Sequence, residues 1–321
     1  MNVTARWRAL ADGYTDQELH GGGWQRVRRG YYVESGGTAD LTAGQQHLLR
    51  VDAVAQASSP DAVISHVSAA VVHDLDLWAT PLTRVHLIRN RATGGRVNSQ
   101  LMLHSMQIAP DEVVRVGDRR VTTVARTVID LARSLPFEQA VVVGDSALRL
   151  GKTTRAQLAE QLARSSGPGT PAARRVVDFV DGRSESPGES RSRVGLHTAR
   201  FPTPELQACV VTPNQKFVAR VDFLFPELGV IGEFDGLVKY RDHLRSGQPP
   251  EDVVIAEKAR EDALRALGWL VVRWTWRELG TSTWLIRLAR AAEIGRPTRR
   301  LGHWYPKPTD LPYDSQSPEP L

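Results

Sequence analysis

The stretch from Val218 to Gly236 contains two apolar runs that predict β-strands, and three acidic residues lie within or at the end of these runs. Asp222 interrupts the first apolar run, and Glu233 and Asp235 lie at the end of the second. Burying an unpaired carboxylate is costly, so acids in core strands need a partner. Mg²⁺ is a suitable partner, because it takes one or two carboxylates together with substrate phosphate oxygens. The pattern therefore predicts metal-dependent cleavage of a phosphodiester.

The elements that must position these acids follow a clear order in the C-terminal part of the chain. A helix is predicted for residues 185–200, followed by three strands at hairpin spacing. A strongly helical stretch at 253–267 comes next, and Gly268 ends it before a further strand at 269–276. The predicted order is therefore helix, three strands, helix, strand, with acids on the second and third strands.

Residues 185–279 resemble the uncharacterised bacterial relatives of very-short-patch-repair endonucleases, within the restriction-endonuclease-like PD-(D/E)XK fold. The resemblance rests on SPGESRSR (186–193), RVDFLFPELGVIGEFDG (220–236) and EKAREDALRALGWLVVRWTWREL (257–279). It implies an endonuclease that hydrolyses DNA with one or two Mg²⁺ ions. The metal ligands it implies are Glu189 on the first helix, Asp222 on the second strand and Glu233 on the third.

One position departs from the signature of this fold. A lysine usually follows the last acid by two residues, and this chain has Asp235 there, although an acid followed by glycine is usual in the repair-endonuclease-like branch. Lys239 or Lys258 would then supply the cation. This branch often carries a histidine after the acid and glycine, and the nearest residues that could take its place are Tyr240 and His243. The implied catalytic set is Glu189, Asp222, Glu233, Asp235 and Lys239.

Each acid also has a purely structural interpretation. A single aspartate at a strand end commonly caps a turn, and Glu233 would pair with Arg220 across a hairpin. The charges at 257–265 would form ion pairs on a solvated helix face. Two hypotheses follow: a DNA endonuclease, or a non-catalytic DNA-binding regulator whose inactive nuclease fold only binds or scaffolds.

The N-terminal half carries a second resemblance, to AbiEi-type antitoxins of abortive-infection systems, over roughly residues 10–150. The motifs that carry it are GGGWQRVRRGYYV, SHVSAAVVHDLDLW, VHLIRN and VARTVIDLARSLPFEQAVVVGDSALR. The resemblance implies an N-terminal winged helix-turn-helix that binds DNA, a regulatory role and a toxin partner. We expect the winged helix to be abbreviated, because only 20 residues precede Gly21.

A short hairpin is predicted around Trp24, and three arginines would lie on its exposed part. Arg26, Arg28 and Arg29 would contact DNA phosphates, which gives sequence-independent and salt-dependent affinity. The alternative is a solvated basic wing without a nucleic-acid role.

Composition sets the remaining expectations. The chain has 321 residues, a net charge of +5 and a single cysteine, Cys209, which rules out an internal disulfide. The basic balance is a weak indication of an anionic partner such as DNA. No apolar run approaches the ~18–20 residues of a membrane span, so we expect a bacterial cytoplasmic protein without a membrane partner.

The predicted fold class is mixed α/β, in five segments. These are a degenerate winged-helix-like segment (1–42), an antitoxin-like α+β domain (43–164), a Ser-, Gly- and Pro-rich linker (165–180), a restriction-endonuclease-like αβββαβ domain (181–295) and a disordered, proline-rich tail (296–321).

Two further motifs are predicted to be structural. His66 and His73 are seven residues apart on one predicted helical face, but no carboxylate accompanies them at ligand spacing, so packing or capping is expected. LGKTT at 150–154 is predicted to be a turn between helices, because its spacing and context do not fit a phosphate-binding loop.

Overall fold

The computed structural model describes residues 2–91, 93–236 and 250–307. The chain divides into two compact units, one ending at Val180 and the other beginning at Asp181. Both combine helices with β-sheet, which confirms the mixed α/β class. Within the described residues, no helix has the length and apolar character needed to cross a membrane.

The N-terminal unit begins with a small sheet and two short helices. They are β1 (Thr4–Ala5), α1 (Arg6–Ala11), α2 (Asp16–Leu19), β2 (Trp24–Arg28) and β3 (Tyr31–Glu34), with strand order β1-β3-β2. The predicted hairpin is present as β2 and β3, and Gly30 turns it with a φ of 78°. The two helices have six and four residues, so this region is as short as the sequence indicated.

A six-stranded sheet comes next, packed against two helices. Its elements are α3 (Ala43–Gln56), β4 (Val63–Ile64), α4 (His66–Val72), β5 (Val85–Arg89), β6 (Arg96–Val97), β7 (Leu101–Ser105), β8 (Val113–Val116) and β9 (Arg119–Thr122), with strand order β6-β7-β5-β4-β9-β8. Val51, Ile64, Leu87 and Val121 lie in one buried cluster between α3 and this sheet.

Residues 1–42 and 43–164, predicted as separate segments, belong to one compact unit. Gln56 at the end of α3 donates a hydrogen bond to the carbonyl of Val3 over 3.0 Å, which ties the start of the small sheet to α3. The sequence pattern predicts where an element begins and ends. It does not predict this contact, because the contact joins residues more than fifty positions apart.

Four helices complete this unit: α5 (Val124–Ser134), α6 (Phe137–Arg149), α7 (Arg155–Ala163) and α8 (Thr170–Phe179). The last of them occupies most of the segment 165–180 that was predicted to be a linker. Gly169 adopts a left-handed conformation with φ 81° and a proline lies in the first turn of α8, so these residues start a helix. Ala173 and Val176 are buried, which makes α8 part of the packed unit.

The C-terminal unit contains the predicted order of helix, three strands, helix and strand. Its elements are α9 (Pro187–Thr198), β10 (Glu205–Val211), β11 (Phe217–Phe225), β12 (Val230–Asp235), α10 (Pro250–Ala266), β13 (Leu270–Thr275), α11 (Thr283–Gly295) and β14 (His303–Tyr305). The sheet order is β13-β12-β11-β10-β14, and β12 and β13 run parallel while the other pairs are antiparallel. A parallel pair needs a crossover connection, and α10 lies within it.

Buried side chains cover both faces of this sheet. On one face, Phe223 and Trp274 stack with ring centroids 5.4 Å apart and pack with Trp284 of α11. On the other face, Leu264 of α10 packs against Ile231. With both faces occupied, a polar side chain inside the sheet must find a hydrogen-bonding partner within the protein.

The tail predicted to be disordered is partly ordered. Residues 303–305 form β14 and pair with Cys209–Val211 of β10. An unpaired strand edge exposes a row of hydrogen-bonding groups, and β14 covers that edge of β10. The rest of the predicted tail, 308–321, lies outside the described residues.

Candidate functional site

The first turn of α9 holds Glu189 in a buried position. Ser186 caps the helix: its hydroxyl accepts a hydrogen bond from the Glu189 amide over 3.2 Å and donates to Glu189 Oε1 over 2.8 Å. The Glu185 amide donates to Glu189 Oε2 over 2.8 Å. Only 4% of Glu189 is exposed, so the capping interaction also orients its carboxylate within the protein.

Gly188, the neighbour of Glu189, allows α9 to lie directly against β12. A Cβ at this position would come 2.0 Å from Cε1 of Phe234. No ordinary side chain tolerates that distance, because carbon atoms make favourable contact at about 3.5–4.0 Å. The close approach of α9 to β12 therefore depends on this glycine.

Gln207 on β10 joins the carboxylate of Glu189, which is buried, to that of Asp222, which is half-buried. Its Nε2 donates to Glu189 Oε2 over 3.0 Å and makes a longer contact of 3.4 Å to Asp222 Oδ1. Gln207 is 2% exposed and has a φ of 55°, in the left-handed region. Such a conformation is costly for a residue other than glycine and persists where the surroundings determine it. The distortion places an amide group between two acids.

Asp222 lies on β11, whose neighbours in the sheet are β10 and β12. Its Oδ2 accepts a hydrogen bond from the backbone amide of Phe234 on β12 over 2.9 Å. The main-chain pairing of β11 with β12 runs from Phe225 to Phe223, so this carboxylate takes over at the next step along the strand. The side chain thereby fixes the position of β12 beside Asp222.

Burial and the neighbouring charge of Asp222 change the ionisation of Glu189 and Glu233. Burial, followed by the nearby negative charge of Asp222, raises the pKa of Glu189 to about 7. Burial also raises the pKa of Glu233, to which Asp222 adds a smaller effect in the same direction. Crowded carboxylates of this kind favour binding of a proton or a cation.

Glu233 has two arginine partners. Arg260 of α10 lies 3.0 Å from Glu233 Oε1, and the Nε of Arg273 on β13 donates to Glu233 Oε2 over 3.0 Å. These two positive charges lower the pKa of Glu233 and so oppose the effect of its burial. Both oxygens of Glu233 are therefore held in ion pairs.

The ion pair predicted between Glu233 and Arg220 is wrong. Arg220 instead donates to Glu185 Oε2 over 2.9 Å, with 44% of the arginine side chain exposed. Arg273 reaches Glu233 because β12 and β13 are parallel neighbours in which these two residues lie opposite each other.

The remaining residues predicted for the site are Asp235, Lys258 and Lys239, with Tyr240 and His243. Asp235 is half-buried at the end of β12, in register with Thr275. Lys258 is exposed on α10. Lys239, together with Tyr240 and His243, lies outside the described residues.

The acids are close to one another without forming one closed coordination sphere. In the described part of the chain, the group whose three potential ligand atoms lie within 4.8 Å of one another consists of histidines. Glu189, Asp222 and Glu233 do not form such a group. The two carboxylates that share a common contact are Glu189 and Asp222, which Gln207 joins.

The three arginines predicted to bind nucleic acid lie on the β2–β3 hairpin in the other unit. Arg26 and Arg29 are exposed, whereas Arg28 is half-buried with its guanidinium 5.6 Å from the ring centre of Tyr31. This distance is that of a cation–π interaction, which orients Arg28 along the hairpin.

Sequence reasoning missed Gln207, Arg260 and Arg273 as parts of the site. Arg260 and Arg273 lie within the EKAREDALRALGWLVVRWTWREL motif, so the signal was present as two cations beside the acids. Gln207 had no such signal, because its role depends on its backbone conformation.

Comparison with known proteins gives relatives without an assigned activity. No family model matches the chain. The chain is 29% identical over 263 residues to the uncharacterized protein Rv2248 of Mycobacterium tuberculosis strain ATCC 25618 / H37Rv, and equally to the uncharacterized protein MT2308 of strain CDC 1551 / Oshkosh. These alignments cover 80% of this chain and 87% of each relative. Among solved structures, the RV2827C protein of M. tuberculosis aligns with a TM-score of 0.38 and 13% identity, over 68% of this chain and 86% of that one.

Proposed function

We propose that the unit beginning at Asp181 is a Mg²⁺-dependent endonuclease domain that hydrolyses DNA phosphodiesters. The observation that carries this proposal is the contact of buried Glu189 with half-buried Asp222 through Gln207. The restriction-endonuclease-like interpretation is further supported by the order of helix, three strands, helix and strand, and by the parallel pairing of β12 with β13.

The donor set suits a hard cation. Glu189 and Asp222 offer carboxylate oxygens, and burial together with the charge of Asp222 disfavours the ionised form of Glu189. Mg²⁺ held there would activate water and neutralise charge that develops on the phosphate. Because the pKa of Glu189 is about 7, cation binding near neutral pH competes with a proton at this carboxyl.

Other residues of the chain would position the two carboxylates and supply a positive charge. Gln207 joins the two carboxylates through Glu189 Oε2, and Ser186 donates to the other oxygen of Glu189, Oε1. Asp235 occupies the position of the usual lysine, so a positive charge must come from another residue. Arg260 on α10 is one-third exposed and belongs to the same ion-pair group as Glu233, which makes it the described cation best placed to contact a phosphate.

Full-length protein with supercoiled, linear and single-stranded DNA, in Mg²⁺ or Mn²⁺, tests the proposal. We expect nicking or cutting by the wild type, and loss of it in Asp222→Asn and in EDTA. Asp262→Asn is the matched control, because Asp262 is exposed on α10. Equal activity of Asp222→Asn and Asp262→Asn would assign the cleavage to a contaminant and refute the proposal.

The second candidate is a non-catalytic DNA-binding regulator of antitoxin type. It is favoured by the ion pairs that occupy both oxygens of Glu233 and by Asp235 at the lysine position. In that case the exposed Arg26 and Arg29 would supply phosphate contacts for an abbreviated winged helix, and a toxin would be the protein partner.

A binding measurement separates the two candidates. A regulator binds DNA without cutting it, and Arg26→Gln combined with Arg29→Gln then reduces its affinity and the slope of affinity against salt concentration. An endonuclease cuts DNA and loses this activity through Asp222→Asn while both arginines are intact.

A further inference from the structure

We propose that His66, His86 and His104 in the N-terminal unit form a binding site for Zn²⁺ or a related divalent transition metal. Each of these histidines offers one ring nitrogen, and the three nitrogens lie within 4.8 Å of one another. His66 is the first residue of α4, His86 lies on β5 and His104 on β7. The fold thus brings together three imidazoles that are far apart in sequence.

Two of the nitrogens already have nearly the separation that a metal requires. His86 Nδ1 and His104 Nε2 are 3.1 Å apart. Ligand nitrogens in a tetrahedral zinc site lie ~2.0–2.1 Å from the ion and therefore ~3.3–3.4 Å from each other. A small rotation of the rings brings this pair to that distance.

The third histidine is held in place by its backbone and its neighbours. His66 is 5% exposed and has a φ of 49°, in the left-handed region. Its ring is stacked on that of His104, with centroids 3.8 Å apart and an angle of 9° between the planes. A shared metal requires His104 to tilt out of this stack. Ser65 Oγ lies 3.0 Å from His66 Nδ1, as expected for an outer group that fixes the tautomer of a ligating imidazole.

The protonation state favours a cation at this point. Burial lowers the pKa of His66, His86 and His104, that of His86 to about 4, so near neutral pH the rings have the uncharged form that binds metals. Geometry remains the basis of the assignment, since an apolar environment lowers the pKa of any buried histidine.

Two arginines act on His66, and acids compensate the charge of one of them. Arg126 lowers the pKa of His66, but it is itself paired with Glu112 and Asp130 over 2.9 Å each. Arg133, which acts on His66 in the same direction, donates hydrogen bonds to two backbone carbonyls at residues 166 and 168.

The ligand set determines the class of metal. Imidazole nitrogens suit Zn²⁺, Cu²⁺ and Ni²⁺ rather than Mg²⁺ or Ca²⁺, which require oxygen ligands. Three histidines leave the fourth position of a tetrahedral zinc ion open. His86 and His104 are only half-buried, so water can reach that position. This site is independent of the acids in the C-terminal unit and of the function proposed for them.

Metal-free full-length protein, titrated with Zn²⁺ by calorimetry, tests the assignment. We expect one site per chain that the double variant His86→Gln and His104→Gln weakens by more than about 100-fold. The exposed His20 gives the matched control His20→Gln, which should bind as the wild type does. Asp222→Asn should also leave this site intact, which separates the test from that of the endonuclease.

Spectroscopy keeps the test decisive if the double variant does not fold. Co²⁺ added to the wild type should give the visible absorption of a tetrahedral ion with nitrogen ligands, and Zn²⁺ should shift the ring nitrogen resonances of all three histidines. No binding by the wild type, unshifted histidine resonances or equal affinity in the folded double variant would mean that the imidazoles only pack against one another, and would overturn the proposal.

Discussion

The ionisation of Glu189 predicts how the stability of the C-terminal unit depends on pH. Its pKa is about 7 in the folded chain, compared with 4.5 for an ordinary glutamate. The folded state therefore binds this proton more tightly than the unfolded state does. The resulting stabilisation is fully present below pH 4.5 and is lost as pH rises through 7.

The size of the effect follows from the two pKa values. Each pKa unit corresponds to about 1.4 kcal/mol, so the rise from 4.5 to about 7 amounts to about 3 kcal/mol. The substitution Glu189→Gln removes the titrating group and keeps the size of the side chain. Relative to the wild type, this variant should therefore be about 3 kcal/mol more stable at pH 8 than at pH 5.

Urea unfolding of both full-length proteins between pH 5 and pH 8 measures this difference. Tryptophan fluorescence reports mainly on the C-terminal unit, because five of the eight tryptophans belong to it: Trp269, Trp274, Trp276, Trp284 and Trp304. Comparing the two proteins at each pH cancels other titrating groups, such as Asp130, whose pKa burial raises to about 6.

Parallel curves for the two proteins would refute the reasoning. A constant difference in unfolding free energy across this pH range would mean that Glu189 is ionised in both states, and that its buried contacts do not favour the proton. A Glu189→Gln variant that gains stability relative to the wild type toward low pH would reverse the sign, and would show that folding stabilises the carboxylate.

Two further substitutions, the second with a control variant, test the packing and the ion pairs near the two sites. Gly188→Ala should destabilise the C-terminal unit by about 1–3 kcal/mol, because the new Cβ would meet the aromatic ring of β12 at 2.0 Å; an unchanged urea midpoint would show that α9 can move away. Arg126→Met should cost about 3–5 kcal/mol at pH 7, because it leaves the carboxylates of Glu112 and Asp130 buried without their cation. Arg164→Met, which breaks an exposed ion pair, should cost less than about 1 kcal/mol, and equal losses for the two arginine variants would contradict this argument.

Much of the fold could be predicted from local pattern. The order of elements from α9 to β13 follows from apolar runs separated by turn residues, and Gly268 marks the start of β13 with a φ of 88°. The segments at 165–180 and 296–307 were less predictable. Their glycines and prolines have the composition of a loop, yet buried alanine and valine side chains order α8, and an exposed strand edge orders β14.

The candidate site could likewise be predicted only in part. Glu189, Asp222 and Glu233 could be proposed because acids in apolar elements are conspicuous in any sequence. Their partners could not. Arg273 reaches Glu233 through a parallel pairing across 40 positions of sequence, and pattern alone does not give its register.

Gln207 shows why the site is more than a set of acids at the end of a sheet. Two carboxylates on neighbouring elements repel each other, and burial increases that repulsion. An amide between them can donate hydrogen bonds to both without adding charge. Gln207 Nε2 lies 3.0 Å from Glu189 Oε2 and 3.4 Å from Asp222 Oδ1. It does so from a left-handed backbone conformation that costs of order 1–3 kcal/mol. A glutamine with that φ inside a buried strand contributes nothing to regular sheet pairing, so the distortion is explained by the contact that it allows between Glu189 and Asp222.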